Sequence, residues 1–390
     1  MQPAESSNMR AQEINPYIHG LRGFLAMLIY TYHILHAELP GLAVMASGPL
    51  RVITDRFEWS VELFFGISGF VVLGALARSR SAGAFIVDRM IRIYPVLWPP
   101  VIASLIWGLM LRNRDFAHAS VETILASVPA NLFALPGMVT MFLIHPPAWS
   151  LSYEMAFYAF SALALLLHRR LGPTLAAAVW VPAALVMLVF YPRGAFFVSG
   201  VVVGVGVLER FAPARFLARF PLVMLVVTLA LWGGIQTITG PRHMVWTTVL
   251  DWTGDARLPL ALLSIVAGAL FLQGVVNGVG PLCRLLGHPI SFFLGTVSFS
   301  FYLWHVPALA LTRRSMVALG LDAWAGPWSQ LLLWVLALPP ALLLGYLSWR
   351  WIEVGVRNRL RALLRTRSAR GQTSSEAASA QAKPKAPATA

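Results

Sequence analysis

From about residue 24 to residue 351 the chain returns again and again to long apolar runs that carry almost no charge, and nothing else in the sequence constrains it as strongly. A run of roughly 20 such residues matches the hydrocarbon core of a bilayer, about 30 Å thick. Ten are read, at about 24–45, 57–77, 93–111, 149–167, 174–190, 195–209, 221–238, 258–276, 289–311 and 327–351. In lipid, each backbone N–H and C=O must find its partner inside the segment, so runs spaced this way fold as helices. The expected fold is all-α, a polytopic integral membrane bundle of about ten transmembrane helices. The run 121–144 is broken by Pro129, Asn131, Pro136 and Gly137 and reads as interfacial or re-entrant.

Composition excludes the main alternatives. Charged residues make up 12% of the chain, hydrophobic residues 58%, and mean hydropathy is +0.70, whereas a soluble domain carries about 25% charge. A net charge of +14 would suggest nucleic acid in a soluble protein. Here much of the excess lies between Arg357 and Lys385, where it suits anionic lipid, and no nucleic-acid partner is expected. The single cysteine, Cys283, allows neither an internal disulfide nor a cysteine-based metal site, and no metal is expected. The organisation read is a disordered tail at 1–17, a transmembrane domain at 18–356 and a basic, disordered tail at 357–390. The first run lacks a convincing cleavage site and reads as a signal anchor. Lys and Arg in the loops barely decide the orientation; the basic tail then puts both termini in the cytoplasm.

Several polar residues interrupt the apolar runs. Arg22 and His33 are eleven positions apart, about 1100° of helix rotation, so they share one face roughly 16 Å apart along the axis. That sets His33 near the bilayer midplane if Arg22 marks the surface. An ionisable group there is costly and points to function, and imidazole both takes and returns a proton near neutrality. The plainer readings are a positive-inside anchor for Arg22 and a packed core histidine for His33. Glu58 and Glu62 are four apart and read as sharing a face, Glu58 interfacial and Glu62 deeper; Ser68 and Gly69 suit close helix packing. Arg89 and Arg92 share a face and suit bidentate phosphate binding or, equally, anchoring.

Trp149-Ser150-Leu151-Ser152-Tyr153-Glu154 opens another helix, with Ser150 or Ser152 as its cap. Glu154 either pairs with an arginine or orients the histidine. Ser298, Tyr302 and His305 fall on one face, as aromatic-belt and interface residues or as part of a substrate site. Glu353, four before Arg357, reads as half of a surface ion pair worth little.

Taken together, these segments resemble the acyltransferase 3 family of membrane-bound acyltransferases, which typically O-acylate bacterial surface and exported glycans. Arg22 to His33 resembles its Arg–ten residues–His signature, and Val61-Glu62-Leu63-Phe64-Phe65 with Ser68-Gly69-Phe70 its V-[DE]-L-F-F-x-x-S-G-F block. Arg89 and Arg92 before Tyr94-Pro95 resemble its R-x-x-R motif, Trp149 to Glu154 its W-S-L-S-x-E block, and Tyr302-Leu303-Trp304-His305 its Y-L-W-H ending. The matches run from Leu21 to about Glu353. Two positions depart: His19 stands where the family often has Asp, and Val354 where it often has Pro.

The resemblance implies an enzyme of the cell inner membrane that uses acyl-CoA, most often acetyl-CoA, as a co-substrate and no permanently bound cofactor. Arg22, Arg89 and Arg92 are then expected to bind the CoA phosphates. His33 serves as base or acyl carrier, with Glu62 or Glu154 orienting it, and Tyr302, His305, Trp149 and Ser152 line the acceptor site. The chain resembles the stand-alone members, which acylate a glycan or other hydroxyl acceptor directly or through a partner. Two other readings of the same residues are a proton-coupled transporter using His33, Glu62 and Glu154 as a relay, and a non-catalytic component of a glycan export complex.

Overall fold

The computed structural model describes residues 15–37, 39, 49–111, 114–239 and 248–363, which form helices and short irregular connections with no strand among them. Among the described residues, six helices are long and apolar enough to cross a membrane: Arg51–Arg78, Ala82–Leu111, Ala148–Phe190, Arg257–Val276, Pro289–Ala318 and Leu321–Leu363. The shorter apolar helices Pro192–Gly204 and Pro221–Ile235 accompany them. The chain is an all-α polytopic membrane protein. Residues 1–14 and 364–390 of the expected tails, and 40–48 around the end of the first apolar run, lie outside the described residues.

The elements that matter below are α1 (Pro16–Leu35), α2 (Ser60–Arg78), α3 (Ala82–Leu111), α4 (Val121–Leu132) and α5 (Ala148–Phe190), then α6 (Phe196–Gly204), α7 (Pro221–Thr239), α8 (Arg257–Val276), α9 (Pro289–Ala318) and α10 (Ser329–Ser348). Helix α1 starts at Pro16 rather than near 24. The Asn15 side chain accepts from the N–H groups of Tyr17 and Ile18, and Pro16 occupies the first turn, where its missing N–H costs nothing. The Asn15 amide also donates to the Val276 carbonyl at the end of α8. Arg22 therefore lies inside the helix, about 9 Å from its start. Helix α3 likewise begins eleven residues before the expected 93, which carries Arg89 and Arg92 into its first turns.

Helix α1 packs against α9, and α9 in turn against α10. Small residues set the spacing: a Cβ on Gly295 of α9 would fall 2.0 Å from the His19 carbonyl oxygen. A second tight pair joins α2 to α6, where a Cβ on Gly69 would fall 2.1 Å from the Phe197 carbonyl oxygen. Helix α5 is interrupted at Gly172 (φ 77°, ψ 174°), which separates the two runs read at 149–167 and 174–190.

The interrupted run 121–144 is α4 followed by an irregular stretch that leads into α5. Asn131, 0% exposed, organises it. Its amide donates to the carbonyls of Ser127 and Phe142, and its oxygen accepts from the N–H groups of Ile144 and, at 3.4 Å, His145. Ser120 caps α4 through Thr123 N–H. At the far end, α10 continues through a π-helical turn, Trp349–Val356, and the helix runs on to Leu363. The boundary drawn at 357 thus falls within helix, and Arg361 of that extension donates to Asp88 Oδ1 on α3 (Nε–O 2.9 Å). Glu353 is not a surface residue: the π turn buries it, and Ser300 Oγ donates to it at 3.0 Å.

Candidate active site

Three arginines from two helices line one cavity. Arg22 from α1 and Arg89 and Arg92 from α3 share a space of about 140 Å³ with Ser68 of α2, Glu154 and Tyr158 of α5, and Ser298 and Tyr302 of α9. Arg89 is buried, paired with its neighbour Asp88 at 2.7 Å, and lies over the rings of Phe85 and Tyr158, 5.7 Å from each centroid. Glu154 accepts from Ser68 Oγ at 3.1 Å and from the Tyr158 hydroxyl. Three guanidinium groups line the chamber beside one carboxylate, Glu154, while Asp88 pairs with Arg89 and the buried Glu353 lies close enough to act on Arg22 and Arg92. Guanidinium groups gathered in such a space suit an anion.

His33 lines a separate, smaller chamber of about 40 Å³ with Tyr32, Glu58, Val61, Pro146, Pro147, Trp149 and Tyr302. Among the described residues no hydrogen bond reaches either ring nitrogen of His33. Its ring packs 5.3 Å from that of Tyr32 and 5.1 Å from that of His305. Tyr302 and Val61 line both chambers and form the wall between them. The Tyr302 hydroxyl is 2.9 Å from Ser150 Oγ, which fixes the ring across this wall.

His305 lies behind His33 rather than at an entrance. It is 1% exposed, and its Nδ1 is 2.6 Å from the Tyr302 carbonyl oxygen. A carbonyl only accepts, so Nδ1 carries the proton and Nε2 keeps its lone pair; that nitrogen is buried without a partner among the described residues.

The carboxylates sort differently from their sequence reading. Glu62 faces Arg193, whose Nε donates to Glu62 Oε1 at 2.5 Å with both side chains 1% exposed. The Arg193 guanidinium also stacks between Trp59 and Trp149, 5.2 and 4.0 Å from their ring centroids. Glu62 is therefore engaged in the packing of α2 against the turn before α6. The acid that shares the chamber of His33 is Glu58, set aside in the sequence as interfacial. Glu154 belongs to the arginine chamber, and neither Glu62 nor Glu154 shares a cavity with His33. Trp149 does line the histidine chamber, while Ser152 accepts from Gly137 N–H at 2.9 Å and steadies the irregular stretch. Neither Ser150 nor Ser152 caps α5, which starts after Pro147 without a side-chain cap.

Sequence reasoning also passed over Tyr158, Arg193 and His145. His145 is 0% exposed, with Nδ1 2.9 Å from Ser104 Oγ on α3. Among the described residues no cluster of His, Cys, Asp and Glu could hold a metal ion.

The family model described as an acyltransferase domain matches residues 15–350. The exopolysaccharide production protein ExoZ of Rhizobium meliloti (strain 1021) is 28% identical over 273 residues, 67% of this chain and 80% of that protein. The acyltransferase MdmB of Streptomyces mycarofaciens is 26% identical over 77% of this chain and 80% of its own length. Nodulation protein 10 of Rhizobium leguminosarum bv. viciae is 22% identical over 75% and 80%. No solved structure matches the chain.

Proposed function

We propose, from the premise that this chain belongs to the acyltransferase family whose model spans residues 15–350, that it moves an acyl group from acyl-CoA to a hydroxyl of an exported or surface glycan. The simplest donor is acetyl-CoA, and the site of action is the cell inner membrane. The carrying observation is the pair of chambers divided by Tyr302: three arginines on one side, His33 on the other. Arg22, Arg89 and Arg92 meet the phosphates of CoA from the cytoplasm, and the thioester is delivered past Tyr302 to His33. The glycan acceptor fits the printed name of one relative, an exopolysaccharide production protein.

In the step itself, His33 takes the proton from the acceptor hydroxyl as its oxygen attacks the thioester carbonyl. The C–S bond breaks, the ester C–O bond forms, and the imidazolium returns the proton to the departing thiolate as CoA thiol. Net charge is unchanged. His305 backs the His33 ring, and Glu58 is the carboxylate placed to balance the imidazolium. The small chamber excludes water, which would otherwise take the acyl group.

Purified protein in detergent, given acetyl-CoA and isolated glycan, tests this through thiol release coupled to ester formed on the glycan. Native protein should release thiol and form ester in equal amounts, and His33→Ala should do neither while still binding CoA. Thiol release that is unaffected by His33→Ala sinks the reading.

A further inference from the structure

A third cavity, of about 300 Å³, lies between α3, α9 and the irregular stretch before α5. Its size is that of a small-ligand site. Trp107, Leu111 and Phe116 form one wall and Val306 the other, while Arg313 and Arg314 line it from the last turns of α9. Pro146 lines this cavity and the chamber of His33 alike, so the two are neighbours through one residue. Arg313 follows Ser298 of the arginine chamber by fifteen residues on the same helix, about 22 Å of rise. The three cavities therefore run in order along the bundle: arginine chamber, histidine chamber, then this one at the opposite end.

Its chemistry is amphiphilic. The walls are apolar, and neither Arg313 nor Arg314 pairs with a carboxylate among the described residues. The flanking helices expose Ile106 and Met110 on α3 and Leu311 on α9, as lipid-facing surfaces do. Beyond the arginines the polar lining is Ser104, backed by the buried His145, whose Nε2 has no partner among the described residues. An apolar slot with two guanidinium groups at one end fits a long hydrocarbon chain that terminates in phosphate.

We propose that this cavity binds the membrane-embedded carrier of the acceptor, a phosphate-terminated long-chain lipid. Arg313 and Arg314 hold the phosphate, Trp107, Phe116 and Val306 enclose the adjoining chain, and the sugar borne on the phosphate reaches the chamber of His33 past Pro146. That the sugar is the acyl acceptor rests on the acyl-transfer reading; the binding of the carrier does not.

The test is native mass spectrometry of the full chain in detergent with three probes: farnesyl phosphate, farnesol and inorganic phosphate. No acyl-CoA is added, and His33→Ala protein should bind as native protein does, so failure of the transfer chemistry leaves this result untouched. Native protein should bind farnesyl phosphate at least about tenfold more tightly than either other probe, the scale of one or two charge-assisted contacts. R313Q/R314Q should lose about tenfold or more. Ala310→Trp, which fills the cavity and keeps both arginines, should lose binding as well. Equal binding of farnesol shows that charge is not read, and equal binding of inorganic phosphate shows that no chain is read. Either result, or unchanged binding by R313Q/R314Q, overturns the proposal.

Discussion

Arg193 Nε donates to Glu62 Oε1 at 2.5 Å, and each side chain is 1% exposed. The pair ties α2 to the turn Pro192–Ala195 that precedes α6 and holds Trp149 beneath the guanidinium, on the border of the His33 chamber. An ion pair this deep is a poor source of net stability, yet breaking it leaves one charge buried without its counterpart.

Glu62→Leu or Arg193→Met alone should therefore cost about 3–5 kcal/mol, seen as loss of thermal stability in detergent. The double substitution should recover most of that loss, because two apolar side chains of similar volume leave no orphaned charge. Recovery of fold without recovery of transfer would assign the pair a positioning role for Trp149.

In the arginine chamber, Arg92→Gln should raise the acyl-CoA KM by roughly tenfold or more, the scale of a lost hydrogen bond between charged groups. Its kcat should fall less. Arg89→Gln should weaken donor binding and also disturb α3, since Arg89 is buried against Asp88, which the helix extension reaches through Arg361. Steady-state kinetics with acyl-CoA varied, together with thermal stability, separates the two variants.

Tyr302 stands between the chambers and is fixed by Ser150. Tyr302→Phe should lose one hydrogen bond and about 0.5–1.5 kcal/mol, with the wall intact. Tyr302→Ala should open the wall and let water compete for the thioester. The measurement is the ratio of thiol released to ester formed, near one for native protein and Tyr302→Phe, and well above one for Tyr302→Ala.

Asn131 makes its hydrogen bonds at 0% exposure and shapes the stretch that carries His145, Pro146 and Pro147. Asn131→Ala should leave buried backbone groups without partners and cost several kcal/mol, at about 1–3 for each group orphaned. Limited proteolysis should detect it as new cleavage between 133 and 147.

The parts legible in the sequence are those that depend on one helix at a time. The apolar runs specify helices because lipid permits little else, and Arg22 and His33 share α1, so their relation follows from helix geometry. Gly172 marks its own kink by taking a positive φ. Glu58 and Glu62 part in their settings for a local reason. Arg56–Trp59 is a 3-10 turn and the α-helix begins at Ser60, so the rotation between the two acids is not that of an α-helix. Glu58 reaches the chamber of His33, and Glu62 meets Arg193. That partner is 131 positions away, and only tertiary packing brings it close. One signal was present: from 171 to 208 Arg193 is the sole charged residue, and a lone arginine in an apolar stretch needs a buried partner. His145 gave less warning, because its setting depends on the hydrogen bonds of Asn131.

The most direct test of the central claim is the ester-linked acyl content of the surface glycan, measured by mass spectrometry in cells with native protein, His33→Ala or no protein at matched membrane abundance. Acylation should require the chain and disappear in His33→Ala, with the mass difference identifying the acyl group. Acylation that persists in His33→Ala at equal abundance would contradict the assignment of His33 as the group that carries the transfer.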